Sequence, residues 1–198
     1  MKNRFRRALR SGEVTLGGWL QIGHPAAAEI HARAGFDWVC VDLEHGAIDL
    51  ESTANIFRTL EGFGSAPVAR LPLADEIWIH RVLDAGARGI IIPMVNSRAE
   101  AEKGERLAKY PPRGMRGFGF SRANMHGVDF HSYVQSANDE IAVVVMIEHK
   151  DAIARLDEIL SVEGVDGAFV GPMDLSGSMG IVGQIQHPDM VAALEKYR

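Results

Sequence analysis

The residues able to do chemistry in this chain gather at four places: Asp42-Leu43-Glu44-His45-Gly46, Arg70, Glu148 and Asp174. Each follows a short apolar run: Trp38-Val39-Cys40-Val41 precedes Asp42, Ala66-Pro67-Val68-Ala69 precedes Arg70, Ala142 to Ile147 precedes Glu148, and Phe169-Val170-Gly171-Pro172-Met173 precedes Asp174. A carboxylate at the end of a buried run is costly unless a cation or a donor offsets its desolvation. Two such carboxylates suit a hard divalent cation such as Mg2+, which takes one or two protein carboxylates and completes its shell with water and substrate oxygens. Mn2+ or Co2+ fits similarly. A plainer reading stands beside this one, with Asp174 as a helix N-cap and Glu148 in a salt bridge. The planar guanidinium of Arg70 can hold a substrate carboxylate through two parallel hydrogen bonds, or it can be taken up by Asp42 or Glu44. His45, set among carboxylates, is placed for acid–base work.

These residues become neighbours only if the chain carries their strands side by side. Short β-branched runs alternate with segments of helical period, the signature of βα units around a parallel sheet. The predicted strands are Thr15 to Ile22, Trp38 to Leu43, Pro67 to Leu71, Gly89 to Ile92, Ala142 to Ile147 and Gly167 to Val170. The predicted helices are Ala26 to Ala34, Leu50 to Glu61, Glu76 to Ala85, Arg98 to Lys109, Asp151 to Leu160 and Asp189 to Tyr197. Ala34-Gly35, Glu61-Gly62 and Ala85-Gly86 put glycine just past a helix, where a positive φ is often needed. The connection from Pro111 to His131 is long, and long connections in compact domains are often functional. Strands that all run one way bring their C-terminal residues to one mouth, where (β/α) barrels place their chemistry.

The expected fold is therefore an α/β barrel of the TIM (β/α)8 type, as a single domain over residues 1–198. Eight strands take about 250 residues, so six units imply truncation, with the C-terminal part of the barrel missing; an open sheet is the alternative. A net charge of −5 over 198 residues supplies no basic field for phosphates and argues against nucleic acid. No apolar stretch approaches the about 20 residues of a membrane span. The one cysteine, Cys40, sits in an apolar run, so a reducing, cytoplasmic setting is expected. Arg4, Arg6, Arg7 and Arg10 precede no apolar h-region, and Phe5 and Leu9, four apart, predict an amphipathic leading helix instead. No nucleotide-binding glycine loop or nucleophile elbow is present. No lysine lies within a predicted strand, where Schiff-base chemistry would want a desolvated amine.

The chain resembles the HpcH/HpaI aldolases, class II pyruvate aldolases that include hydroxy-oxo-heptanedioate and deoxyglucarate aldolases. Leu16-Gly17-Gly18-Trp19-Leu20, Ala34-Gly35-Phe36-Asp37-Trp38, Asp42-Leu43-Glu44-His45, Pro67-Val68-Ala69-Arg70, Leu83-Asp84-Ala85-Gly86, Pro93-Met94-Val95, Tyr110-Pro111-Pro112-Arg113-Gly114, Ile147-Glu148 and Gly171-Pro172-Met173-Asp174-Leu175 carry the resemblance. It implies divalent-metal-dependent, reversible cleavage of 4-hydroxy-2-oxo acids to pyruvate and an aldehyde that bears a hydroxyl or carboxylate. Glu148 and Asp174 would ligate the metal, Arg70 would bind and polarise pyruvate, and His45 would be the base, oriented by Asp84. Asp42 would support the site, and the backbone amides of Met173 and Asp174 would hold the pyruvate carboxylate. It also implies a homo-oligomer, hexameric in the family. Met146 stands where many members carry glutamine, and Phe120 replaces a small polar residue, which would make the aldehyde pocket more apolar. The alternatives are a citrate-lyase-like or malyl-CoA-type lyase and a catalytically silent pyruvate- or oxalate-binding protein.

Overall fold

The computed structural model describes residues 3–197. After α1 (Arg4–Ser11) come β1 (Gly17–Leu20), α2 (Pro25–Arg33), β2 (Trp38–Asp42), α3 (Leu50–Gly62), β3 (Ala66–Arg70), α4 (Glu76–Asp84), β4 (Gly89–Ile92) and α5 (Arg98–Ala108). A 3-10 turn (Arg122–Gly127), α6 (Phe130–Glu140), β5 (Ala142–Ile147), α7 (Lys150–Ala154), α8 (Leu156–Leu160), β6 (Gly167–Val170), α9 (Pro172–Ser178) and α10 (Pro188–Tyr197) complete the order. The six strands are all parallel and lie in sequence order. They curl into a half-barrel of the α/β TIM type with helices outside it.

The strand periodicity of two sorts side chains into two layers. Val39, Val41, Ala69, Ile90, Ile92, Val143, Val145 and Ile147 face outward and pack with Ile56, Phe57, Leu60, Ile79 and Leu83 of the helices. Cys40, Val68, Ile91, Ala142, Val144 and Met146 face inward with Trp19, Trp38 and Phe169. Both layers are apolar, which is why several strands read as uninterrupted hydrophobic runs. Burial pushes the Cys40 thiol well above its usual range, so this cysteine packs and does not react.

The expected leading helix is present and closes the bottom of the half-barrel. Phe5 is buried against Trp38, with ring centroids 5.2 Å apart, and a side chain at Gly89 would crowd it, since a Cβ there would lie 3.0 Å away. Asn3 caps α1 and donates through Nδ2 to the carbonyls of Arg88 (2.7 Å) and Glu140 (2.6 Å). The fully buried Asp166 carboxylate accepts from Arg6 Nε (2.9 Å), Arg10 Nε (2.7 Å) and the Val143 amide (3.0 Å). One acidic residue thus ties the helix to two strands.

The structure corrects several sequence boundaries. β1 is shorter than Thr15 to Ile22, and the last expected residues of β2 and β3, Leu43 and Leu71, fall outside their strands. The Pro111 to His131 connection gives way to α6, whose apolar spacing at Phe130, Tyr133, Val134 and Ala137 is helical. The helix expected from Asp151 to Leu160 breaks at Arg155. Gly35 and Gly86 do adopt positive φ, whereas Gly62 belongs to α3 and Gly64, at φ +79°, makes the turn.

Candidate active site

Strand register assembles the mouth. Asp42 and Arg70 are the last residues of their strands and pair directly, Cα to Cα, across β2 and β3. On the same inward face, Gln21 lies two residues beyond Trp19, Glu148 two beyond Met146, and Gly171 two beyond Phe169. The inward alternation that fills the lower layers with apolar groups therefore delivers the polar ones at the top.

Asp42 is the hub. Its Oδ1 accepts from Arg70 Nε (2.9 Å) and from the amides of Glu44 (3.1 Å) and His45 (3.0 Å); its Oδ2 accepts from Arg70 Nη2 (2.5 Å), Trp19 Nε1 (3.0 Å) and Gln21 Nε2 (2.7 Å). Burial alone would raise this carboxyl, but the Arg70 guanidinium and the other donors outweigh it and hold the group well below the usual carboxylate range. Gly46 belongs to the same turn: a Cβ there would lie 2.3 Å from the Asp42 carbonyl oxygen, so the chain folds back on itself only without a side chain.

Arg70 adds an ion pair to Glu44, Nη1 to Oε2 3.0 Å, without hydrogen-bond geometry, and its guanidinium carbon lies 5.2 Å from the Trp19 ring centre. Its structural partners are therefore real. Asp42 takes one edge of the fork, Glu44 and Trp19 lie beside it, and the whole group is immobilised at the mouth.

Glu148 follows β5 and is buried. Its Oε1 accepts from the Met94 amide at 2.7 Å, and Met94 reaches this position in a left-handed conformation, φ +53°. Such backbone is uncommon outside glycine and persists where its surroundings enforce it. Oε2 lies over Gly171, where a Cβ would come within 2.6 Å of it. Burial raises the Glu148 carboxyl above its ordinary value; the Met94 amide and Arg70 oppose this, and the charges of Glu44 and Asp174 reinforce it. Among the described residues no cationic side chain lies within ion-pair distance of Glu148, so the salt-bridge alternative for it is not realised.

Asp174 occupies the first turn of α9, whose N-cap is Gly171 and whose first residue is Pro172. It is therefore not the cap. Glu148 and Asp174 line one cavity of about 500 Å3 at the mouth, with Met94, His149, Met173 and Val182 around it. Among the described residues no third His, Cys, Asp or Glu completes a closed cluster with them. A buried carboxylate with one oxygen held by an amide, a second carboxylate opposite and room for other oxygens fit a divalent cation whose remaining positions go to water and substrate. The amides of Met173 and Asp174 are first-turn donors without an intrahelical acceptor.

His45 is exposed on the β2–α3 turn, its backbone tied to Asp42. Asp84 is elsewhere. It ends α4, which runs back along the sheet, so it lies near the start of β4 at the opposite end from His45, paired with Arg116 at 2.8 Å. Phe120 belongs to that end too, packing on Phe130 with ring centroids 5.1 Å apart in a segment whose Arg122 donates to the Ala85 carbonyl. Within one chain neither Asp84 nor Phe120 is part of the mouth.

A sequence model described as HpcH/HpaI aldolase/citrate lyase matches residues 15–198. The chain belongs to this family. Its members are class II aldolases and lyases of carbon–carbon bonds, in general dependent on a divalent cation. A hydroxypyruvate/pyruvate aldolase of Roseovarius nubinhibens is 43% identical over 194 residues, 98% of this chain and 76% of that protein. A 4-hydroxy-2-oxo-heptane-1,7-dioate aldolase of Escherichia coli is 39% identical over 197 residues, 99% of this chain and 75% of that protein. The crystal structure of an HpcH/HpaI aldolase/citrate lyase family protein from Burkholderia cenocepacia J2315 superposes with a TM-score of 0.94 at 36% identity, covering 99% of this chain and 79% of that one.

The sequence of this HpcH/HpaI chain had suggested no individual role for Trp19, Gln21 or Met94. The first two were accessible from strand alternation, because Trp19 lies on the inward face of β1 and Gln21 follows it by two residues. Met94 was not, since what matters there is its backbone conformation. No helix among the described residues is long and apolar enough to cross a membrane.

Proposed function

We propose that the chain catalyses reversible aldol cleavage of 4-hydroxy-2-oxo acids to pyruvate and an aldehyde, with a divalent cation held by Glu148 and Asp174. The observation that carries this reading is the buried Glu148 carboxylate, which has an amide on one oxygen and Asp174 across a shared cavity. Both named relatives act, by their names, on 2-oxo acids. A cation bound there supplies Lewis-acid polarisation of the keto group.

The remaining work belongs to the chain's own groups. Asp42 fixes the Arg70 fork so that it faces the pyruvate moiety at no cost in reorganisation, which is where a preorganised charge helps most. The Met173 and Asp174 amides hold the pyruvate carboxylate. In the cleavage direction His45 takes the proton of the 4-hydroxyl as the C3–C4 bond breaks, the aldehyde leaves, and C3 regains a proton to give the pyruvate methyl. In synthesis the same steps run backwards. Asp84, at the other end of the strands, acts on His45 only if a second copy of the chain presents it.

Two measurements test this. Metal-loaded protein releases pyruvate from a 4-hydroxy-2-oxo acid, loses the activity to a chelator and regains it with Mg2+ or Mn2+. It also exchanges the methyl protons of pyruvate for deuterium, observed by proton NMR. Cleavage of a malyl or citryl thioester in place of these reactions would redirect the reading to the lyase alternative. Binding of oxalate with no exchange and no cleavage would leave a silent binding protein.

His45→Gln is expected to slow cleavage by about 10²–10⁴, the usual contribution of a general base, while Mn2+ affinity stays within about twofold. The affinity should hold because the imidazole makes no contact with Glu148. Undiminished cleavage in this variant would assign the base elsewhere.

A further inference from the structure

The cavity at the mouth is lined by two carboxylates, Glu148 and Asp174, and among the described residues no lysine or arginine lines it. A divalent cation there neutralises the two protein carboxylates, which leaves a substrate carboxylate to find donors of its own. Two side chains of the lining, Ser178 and His149, carry one. Ser178 is committed: its Oγ donates to the Leu175 carbonyl (2.7 Å) and accepts from the Lys150 amide (3.0 Å). His149 is committed on one nitrogen only. Its Nδ1 accepts from the Asp151 amide at 3.2 Å and so caps α7; the Asp151 carboxylate, 3.6 Å from the same nitrogen, lies beyond hydrogen-bond distance. A ring nitrogen that accepts carries no proton, so the proton belongs to Nε2. Among the described residues Nε2 has no partner, and it is not sealed from solvent. With Nδ1 turned to the start of α7, the far edge of the ring, which carries Nε2–H, is the edge left for the cavity. Histidine caps of the same kind begin α2, where His24 accepts from the Ala26 amide, and α10, where His187 accepts from the Asp189 amide. Capping alone therefore marks no site; His149 differs from the other two in lining the cavity of Glu148 and Asp174.

From this arrangement we propose that His149 is a binding residue for the 2-oxo acid, its Nε2–H donating to an oxygen of the substrate carboxylate beside the Met173 and Asp174 amides. This rests on the pyruvate reading above and adds one side-chain donor to the two backbone donors. The cap then has a second effect. A histidine free to exchange tautomers would at times turn a lone pair toward the carboxylate, whereas the backbone amide at Nδ1 fixes Nε2 as the donor before substrate arrives, so no free energy is spent on selecting the tautomer at the moment of binding. A hydrogen bond to a charged oxygen also contributes more than one between neutral groups.

Two substitutions separate the two ring nitrogens. His149→Asn keeps a capping oxygen near the position of Nδ1 and removes Nε2–H, while His149→Gln reaches the position of Nε2 with an amide N–H and gives up the better cap. In Mg2+-loaded protein, His149→Asn is expected to raise the Kd for oxalate, an inert stand-in for the 2-oxo acid, by about tenfold, the low end for one hydrogen bond to a charged group. The loss in kcat/KM for cleavage should fall mainly on KM, and the unfolding midpoint should stay where it was. His149→Gln is expected to keep oxalate affinity within about threefold of the parent and to unfold at a lower temperature. In the parent protein, proton–nitrogen NMR of the His149 ring is expected to place the proton on Nε2, and oxalate to shift that resonance. Unchanged oxalate affinity in the asparagine variant, equal losses in both variants, or a proton on Nδ1 overturns the proposal. Deuterium exchange into the pyruvate methyl group of the parent separates the two levels. Exchange together with any of those results removes only this proposal, and absence of exchange removes the pyruvate reading and the proposal with it.

Discussion

Arg70→Ala lowers kcat/KM for pyruvate release by about 10²–10³, the loss expected when one preorganised charged donor is withdrawn from a developing oxyanion. It also destabilises the fold, toward the lower end of the about 3–5 kcal/mol seen when one partner of a buried pair is removed. The Asp42 side chain has no solvent exposure, so its charge stays buried without its cation. It keeps the amides of Glu44 and His45 and the side chains of Trp19 and Gln21, and these donors limit the damage. Arg70→Lys restores the charge but not the planar fork, and is expected to recover stability more than activity. Denaturant unfolding and steady-state kinetics read the two effects separately. Full activity in Arg70→Ala would leave Arg70 a purely structural partner of Asp42.

Glu148→Gln is the second large effect, and its two consequences have opposite sign. Mn2+ affinity, followed by electron paramagnetic resonance, falls by at least about 100-fold, since changes in the outer shell of a metal site alone cost about 10- to 100-fold. Stability of the cation-free protein holds or rises at neutral pH. Burial raises the Glu148 carboxyl above its ordinary value, so the folded chain binds that proton more readily than the unfolded chain. The stabilisation is complete below the unfolded carboxylate range and is lost as pH rises through the raised folded value. Above that value the parent protein carries an uncompensated buried charge and the glutamine variant does not. The difference in midpoint between the two should therefore shrink as pH falls through that raised folded value. With cation bound, the order reverses at neutral pH, because only the parent gains from binding. Unaltered Mn2+ affinity in the variant would remove Glu148 from the metal site.

Much of this was legible in the amino-acid order, and the parts that were not share a cause. β4, β5 and β6 stand at their expected residues because short apolar runs, β-branched in β4 and β5, are bounded by polar or glycine positions that leave little choice. The convergence of Asp42, Arg70, Glu148 and Asp174 followed from parallel strands and needed no long-range knowledge. α6 was hidden because Phe130, Tyr133, Val134 and Ala137 are interleaved with Ser132 and Ser136 and followed by Asn138 and Asp139, residue types that also favour turns. What one-dimensional reading cannot supply is which carboxylate takes which donor. Asp42 reads as a supporting residue, yet it binds three side chains and two amides, while Glu148 takes one amide from a methionine in a conformation no residue type announces. The separation of Asp84 from His45 was accessible from direction alone: a helix that follows a strand returns to the strand's starting end.

The Asp166 junction has a consequence for how the molecule comes apart. Chain termini usually fray because little holds them, and an eight-residue helix such as α1 is marginal by itself. Here two of its arginines, Arg6 and Arg10, share a fully buried carboxylate that also accepts from the Val143 amide of β5. To open α1 is to uncover that carboxylate beneath the sheet. Amide hydrogens of α1 should therefore exchange with solvent together with those of β5 and β6, as members of one cooperative unit, and the foundation under the reactive mouth loosens only when the sheet above it does.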